Sequence, residues 1–336
     1  GSACRELPML LKGVTEQNAR RCVLCADDLQ PVTIFEKGDI DEKLRICVAN
    51  GIDPITAVQM ATLNAAECFE MRDRGAIAPN KKADILLVND LENFKIEKVF
   101  IEGKIVAENG TYLPEVKHID TQKVAGSVRV KDFSTEKLKL NLKTEKANVI
   151  RIIPGSVVTK KEVTAVDRTD DGDFRFNKEI DVAKIAVIER HQMTGNVATA
   201  LIAGYGIKAG AIAITVAHDS HNIIVVGTTN EDMAFAVSKI IEQEGGVVVV
   251  NNGEVLESMP LPIAGLMSDR SGEWVKDKLI KIHDKAYNEL GVSHEVEPTM
   301  TLCFMALPVI PEVKITDMGL FDVTKQEFIN MEAEKN

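Results

Sequence analysis

"AHDSHN", residues 217–222, crowds two of the six histidines, His218 and His221, around Asp219 between the apolar runs "AIAIT" and "IIVVG". Imidazoles can move protons near neutrality or ligate a metal, and a carboxylate beside one can orient the ring and raise its basicity. The plainer alternative is a polar turn between two strands, since Asp, Ser and Asn are turn formers. Three positions apart in an extended strand, the two histidines would face opposite sides; in a tight loop they would lie together. The stretch alone lacks the ligands for a complete metal site. A second candidate is "CADD", residues 25–28, where Asp27 and Asp28 close an apolar run. Acids at the C-terminal end of a strand sit where parallel α/β folds place function, although in isolation a "DD" reads as a turn or helix cap.

Other chemistry-bearing residues carry less. Cys22 and Cys25 form a C-x-x-C, but no second pair follows at zinc-finger spacing, so free thiols in a reducing compartment are expected. His191 in "IERHQMTG" reads either as catalytic or as a strand-end residue packed on the following helix. "GYGIKAG" is glycine-rich but lacks the strand–G-x-G-x-x-G–helix setting, so a helix C-cap and tight turn are expected. His283 and His294, in and after a charged helix, are expected to be solvated.

These residues need elements to hold them. Residues 21–26 read as a buried strand ending at the two acids. Ile40, Leu44, Cys47 and Val48 make one apolar face of a helix over 39–50, stopped by Gly51. A second helix opens at Asp53 as N-cap with Pro54 at the first helical position, and a third starts near Asn64. From about Gly75 to Leu142, "ADILLVND", "KVFIEG", "KIVAENG" and "LKLNL" read as strands, with Glu102-Gly103 near a hairpin turn. Beyond Val149, "VIRIIP", "AKIAVIE", "AIAITVA", "IIVVG" and "GVVVV" read as strands, with helices expected at about 196–206, 231–244 and 271–290. An antiparallel or mixed α+β region follows from that alternation.

Composition excludes some classes. The chain has 336 residues, 45% of them hydrophobic, enough for two or three domains with a sizeable core. A formal net charge of -11 disfavours attraction to nucleic-acid phosphates or anionic membranes. No apolar run approaches the roughly 18 residues of a membrane span, and no signal peptide is recognisable, so a cytoplasmic protein is expected.

A family resemblance joins these pieces. "DPITAVQMATLNAAECFEMRDRGAIAPNKKADILLVND" resembles the C-terminal signature of the amidohydrolase superfamily, where a helix ending in N-A-A leads through a turn into a small β domain. "ERHQMTGNVATALIAGYGIKAGAIAITVAHDSHNIIVVG", "PLPIAGLMSD" and "MTLCFMALPVIPEVKITDMGLFD" resemble, in order, the C-terminal domain of bacterial adenine deaminases. The resemblance implies an α/β plus α+β fold: residues 1–72 as the C-terminal end of a metal-dependent (β/α)₈ barrel, 73–148 as a small β domain, and 149–336 as an α+β domain. "GSACREL" resembles the segment after an inner barrel strand, so the sequence is expected to begin mid-barrel.

The activity implied is hydrolytic deamination of adenine to hypoxanthine and ammonia, a purine-salvage reaction, with a metal-activated water attacking C6. A divalent metal is implied, manganese or iron before zinc. Of the family's ligands only the aspartate after the last strand has a counterpart, Asp27, with Ala26 where the family has Thr; Asp28 would shape the substrate side. The H-x-H is absent, so the isolated chain is expected to be inactive. The "AHDSHN" loop is expected to line the substrate pocket, with His218, Asp219 and His221 in catalytic roles. Adenine, further copies of the chain and the missing barrel half are the implied partners; nucleic acid and membrane are not. A non-catalytic assembly module, or another amidohydrolase acting on a cyclic amide or amidine, remains the alternative.

Overall fold

A computed structural model describes residues 1–333. The chain forms two compact units, one of Gly1 and Arg5–Ile119, the other of Ser2–Cys4 and the chain from Asp120 onward.

The first unit opens with helices α1 (Leu7–Leu10), α2 (Pro31–Lys37), α3 (Ile40–Ala49), α4 (Pro54–Ala61) and α5 (Leu63–Cys68). Only α4 among them starts on a side-chain cap, and α3 carries acids in its first turn. Asp53 accepts the Thr56 N–H at 2.9 Å with Pro54 in the first turn of α4, and Asp41 and Glu42 sit in the first turn of α3, where the helix dipole favours acids. Gly51 follows α3 at φ 86°, a left-handed stop that glycine takes without Cβ strain. Leu11, Leu24, Cys47, Ala57 and Met60 pack together as the core, each large side chain contributing about 1.5–3 kcal/mol by its burial.

The strand expected over residues 21–26 is not formed. Ala19–Arg21 is a 3₁₀ turn and the chain then runs extended without a ladder. A strand needs a neighbouring backbone to bond with, and here the Leu24 N–H bonds instead to the Met60 carbonyl at 3.2 Å. Asn64 of α5 ties the segment down, donating to the carbonyls of Ala19 and Cys22 at 2.9 and 2.8 Å. Four antiparallel strands follow, in the order β1 (Ile85–Val88), β2 (Ile96–Ile101), β3 (Lys104–Glu108), β4 (Thr111–Tyr112). Between β2 and β3, Glu102 and Gly103 have φ 49° and 76°, the paired positive values of a two-residue hairpin turn.

The second unit is built on an eight-stranded mixed sheet of four sequence-local hairpins side by side. Its strands are β5 (Lys146–Ile152), β6 (Thr159–Ala165), β7 (Val182–Ile188), β8 (Val197–Ala203), β9 (Ala211–Ile214), β10 (Ile223–Gly227), β11 (Gly246–Asn251) and β12 (Glu254–Pro260), in the order β12-β11-β9-β10-β7-β8-β5-β6. Neighbours are antiparallel except β5 and β8, which pair in parallel through Ile150↔Ile202 and Arg151↔Ala203. The remainder of that edge of β5 is taken by residues 331–333, where Asn148 N–H bonds to the Met331 carbonyl at 2.6 Å. Strands β7, β9 and β10 are buried along their whole length, which explains sequences that are apolar throughout β9 and β10 and broken in β7 only by Lys184, whose ammonium is paired with Asp173 at 2.6 Å.

Helix α6 (Asn230–Glu242) packs on the sheet, with Met233, Ala236, Val237 and Ile240 against Ala213, Val225 and Val248. Helix α7 (Gly272–Asp284) starts at Ser271, whose hydroxyl accepts the Trp274 N–H, and continues as a π-helical turn over Lys285–Glu289. After α8 (Pro298–Cys303), strands β13 (Val313–Thr316), β14 (Gly319–Asp322) and β15 (Glu327–Phe328) make a three-stranded sheet.

Two expectations fail in this unit. The helix expected at 196–206 is strand β8, paired with β7 in register from Ile188↔Val197 to Val182↔Ala203; a ladder partner overrides the helix preference of its alanines. "LKLNL" is not a strand but a 3₁₀ turn, Thr135–Leu138, and an extended segment. Leu138, Leu140 and Leu142 do alternate into the core. Their backbone bonds run to a loop rather than a strand: Leu140 N–H to the Asp173 carboxylate and Leu142 N–H to the Gly172 carbonyl, both at 2.8 Å.

Candidate functional site

The antiparallel pairing of β7 with β10 sets Ile188 opposite Ile223, and β10 with β9 sets Ile224 opposite Ile214. The loop 215–222 and the segment 189–196 therefore leave the same end of the sheet, and so does the chain after β12, because Pro260 pairs with Gly246 at the start of β11. Three blocks that stand out in the sequence meet there.

Thr215 roots the loop: its buried hydroxyl donates to the Gly265 carbonyl at 2.6 Å and accepts the Gly246 N–H at 2.7 Å. The turn is tight, His221 N–H bonding to the Ala217 carbonyl at 2.6 Å. His218 and His221 are thus brought together, ring centroids 5.6 Å apart, with the Phe304 ring 5.1 Å from His218. His218 N–H is held by the Cys303 carbonyl at 3.0 Å. Asp219 lies beside His218, Oδ1 to Nδ1 3.6 Å, but its side chain is 82% exposed, so water screens the contact.

His191 joins this cluster, with no helix after it to pack on, since β8 follows. Its Nε2 lies 2.7 Å from the Ser220 carbonyl, which can only accept, so that nitrogen carries a proton. Glu189 shapes the approach by accepting the backbone N–H groups of His191, Gln192 and Thr194. Asp317, on the β13–β14 turn, accepts from Asn222 at 3.3 Å and from Asn196 at 3.0 Å. Arg190 lies behind the loop, 1% exposed. Sequence reasoning passed over it, and no local pattern marks it.

The electrostatics favour a neutral ring at His221. Its pKa is pushed below the ordinary value, by burial first and then by the neighbouring His218 and Arg190, against a smaller upward pull from Asp219. Nδ1 receives the Ala217 N–H at 3.2 Å, so the neutral ring keeps its proton on Nε2. Burial lowers the Arg190 pKa to about 10, leaving it cationic at neutral pH. The cluster therefore offers an imidazole N–H donor, a half-exposed second imidazole and an aromatic face, a set suited to a planar heterocycle or to proton movement. Among the described residues no three His, Cys, Asp or Glu side chains gather into a metal-binding group.

Asp27 and Asp28 belong to the first unit. Asp27 is exposed at φ 57°, a left-handed conformation that aspartate tolerates better than most residues. The Asp28 side chain is 3% exposed. The C-x-x-C thiols are free, Cys22 half-buried and Cys25 exposed.

The glycine-rich "GYGIKAG" turn follows a strand rather than a helix. Gly204 and Gly206 have φ 89° and 83°, and their N–H groups both cradle the Asp181 carboxylate at 2.9 Å. His283 is not solvated: its Nε2 is 2.5 Å from Glu297 Oε1, side chains 18% and 6% exposed. His294 stacks on Tyr287 at 4.5 Å between ring centroids. An open groove of about 830 Å³ lined by Lys146, Asn148 and Lys161 shares no residue with the histidine cluster and gathers no comparable chemistry.

Residues 156–327 match the family described as adenine deaminase C-terminal domain, and residues 4–106 match the amidohydrolase family. Adenine deaminase 2 of Desulfotalea psychrophila is 61% identical over 333 residues, covering 99% of this chain and 58% of that protein. The adenine deaminase of Ligilactobacillus salivarius is 47% identical over 334 residues, again 99% and 58%. That of Clostridium acetobutylicum is 41% identical over 330 residues, 98% and 58%. The chain thus spans 58% of the length of these curated relatives.

Proposed function

The chain belongs to the adenine deaminase C-terminal domain family, and on that premise we propose that it is the C-terminal portion of an enzyme that hydrolyses adenine to hypoxanthine and ammonia. The observation that carries the reading is 61% identity across 99% of this chain to a protein named adenine deaminase. In the reaction a water oxygen bonds to C6, the bond from C6 to the exocyclic nitrogen breaks, and that nitrogen leaves as ammonia.

The histidine cluster is the part of this chain fitted to the base. In this reading His221, neutral with its proton on Nε2, donates to a ring nitrogen of the purine; His218 stacks or relays a proton; Asp219 tunes His218 through solvent. Asp28 shapes the substrate side of the first unit's site. Amidohydrolases use a divalent metal, for which manganese or iron is proposed ahead of zinc. The described residues of this chain do not by themselves assemble such a centre; Asp27 is proposed as one ligand of it.

The reading includes residues 1–72 as the end of a (β/α)₈ barrel, supported by the amidohydrolase match over 4–106. Residues 73–148 are then its small β domain and 149–336 the α+β domain. It also includes a cytoplasmic homo-oligomer; no helix among the described residues is long and apolar enough to cross a membrane. The test is ammonia release from adenine by the intact protein carrying this chain, supplied with manganese or iron. Release far above a no-protein control is expected, and none above it would overturn the reading.

A further inference from the structure

Arg190 is buried with no carboxylate paired to it among the described residues, and burial alone perturbs its ionisation. A buried charge without an anion is costly, and here only the dipoles it bonds offset that cost. Its three donor bonds go to three segments far apart in sequence. Nε donates to the His221 carbonyl at 2.5 Å, Nη2 to the Ala264 carbonyl at 3.2 Å and Nη1 to the Ser127 hydroxyl at 3.4 Å. Space for the guanidinium depends on Gly265, at φ 71°, where an added Cβ would lie 2.8 Å from Nη1.

We infer that Arg190 is the positioning residue of the histidine loop: it anchors the His221 carbonyl so that the His221 ring presents its Nε2–H beside His218 to the purine. The inference deepens the deaminase reading and rests on it for the ligand. An adenine edge offers an unprotonated ring nitrogen as acceptor, and a neutral imidazole with its proton on Nε2 is the matching donor. Two contacts hold the ring in that form. The Ala217 N–H points into Nδ1, so a second proton there would meet a donor head-on. The Arg190 cation sits behind the loop and disfavours a second positive charge. The other ionisable groups acting on the ring are His218 and Asp219 on the loop and His191 after β7; Glu189 is engaged by the His191 backbone N–H and Asp317 by the Asn222 side chain. Of these only Asp219 pulls the His221 ring toward the charged form, and it is exposed. Arg190 touches no substrate in this account; it acts through His221.

The test is nitrogen-resolved NMR of the imidazoles in the full chain, paired with kinetics of the intact enzyme. In the wild type, His221 should be the Nε2–H tautomer with a midpoint below the ordinary value of about 6.5. Arg190→Met should raise that midpoint by about half a unit or more and lower kcat/KM for adenine about ten-fold. Arg190→Lys keeps the charge but not the fork; it should restore the midpoint and not kcat/KM, a split that a purely structural role would not give. A wild-type ring protonated on Nδ1, or a midpoint at or above the ordinary value, overturns the proposal without any variant. So does an Arg190→Met protein that folds with its midpoint unmoved. Normal kinetics in His221→Asn, together with the expected NMR result, would overturn the substrate reading and support the anchor.

Discussion

Nδ1 of His221 accepts the backbone N–H of Ala217 at 3.2 Å, four residues earlier in the same loop, and that bond requires the nitrogen to be unprotonated. Loop shape and ring protonation are therefore coupled, and the coupling has a sign. The His221 pKa is lowered in the folded protein, by burial first, whereas the unfolded chain titrates near about 6.5. Below that pH the unfolded state takes up a proton that the folded state resists. The stability from the neutral ring is complete above about 6.5 and is lost as pH falls toward the lowered folded value. Denaturant titrations between about pH 7 and 5 should thus show a steeper loss for wild type than for His221→Asn. Equal slopes would mean the ring is not held neutral.

In the intact enzyme, His218→Asn and His221→Asn should each lower kcat/KM for adenine by about ten-fold or more while the fold survives. Asp219→Asn should cost only about two- to three-fold, because a carboxylate 3.6 Å away and 82% exposed acts through water. Unchanged kinetics in both histidine variants would reduce the loop to a polar turn.

Asp27→Asn should reduce turnover of the intact enzyme by about a thousand-fold or more if the carboxylate ligates the metal, since both metal charge and water activation would change. Asp28→Asn should cost less, about ten- to a hundred-fold. Metal content measured alongside turnover separates the roles: it should fall in the first variant and persist in the second. Collapse in Asp28→Asn alone would reverse the assignment.

A stability test lies away from the site. Asp173 accepts Lys184 Nζ at 2.6 Å, Asn230 Nδ2 at 2.7 Å and the Leu140 and Phe174 N–H groups at 2.8 Å each. Burial opposes its ionisation, yet these donors outweigh it and hold the carboxyl below its usual range. Asp173→Asn leaves the buried Lys184 charge unpaired and should destabilise the protein by about 3–5 kcal/mol in chemical unfolding. A loss under about 1 kcal/mol, the size of an ordinary surface change, would show that the pair is dispensable.

Legibility in the sequence followed how local the cause was. Asp53 and Pro54 announced α4 because capping acts within four residues, and Glu102-Gly103 announced its hairpin for the same reason. Residues 21–26 and 196–206 were misread because a strand is decided by what lies beside it: the first lacks a ladder neighbour, and the second has β7 along its whole length. "AHDSHN" was visible as a concentration of histidines. That it would be a tight loop, and that His191 would reach Ser220 from a segment 29 residues earlier, depends on the register of β7 against β10. Arg190 is invisible in the sequence, one charged residue at a strand end, and only its burial against two backbone carbonyls and one hydroxyl gives it meaning.

The sheet of the second unit, four hairpins zipped side by side, is not equally strong along its seams. Within each hairpin the chain closes a short loop, an event of about microseconds. Joining hairpins requires partners much further apart in sequence, and the parallel seam of β5 with β8 is made by only two register pairs. The β5–β6 hairpin is therefore the expected unit of partial opening, together with residues 331–333 that bond to β5, while β7, β8, β9 and β10 stay closed. Native-state hydrogen exchange should find the β5 amides opening together at a lower free energy than those of β7.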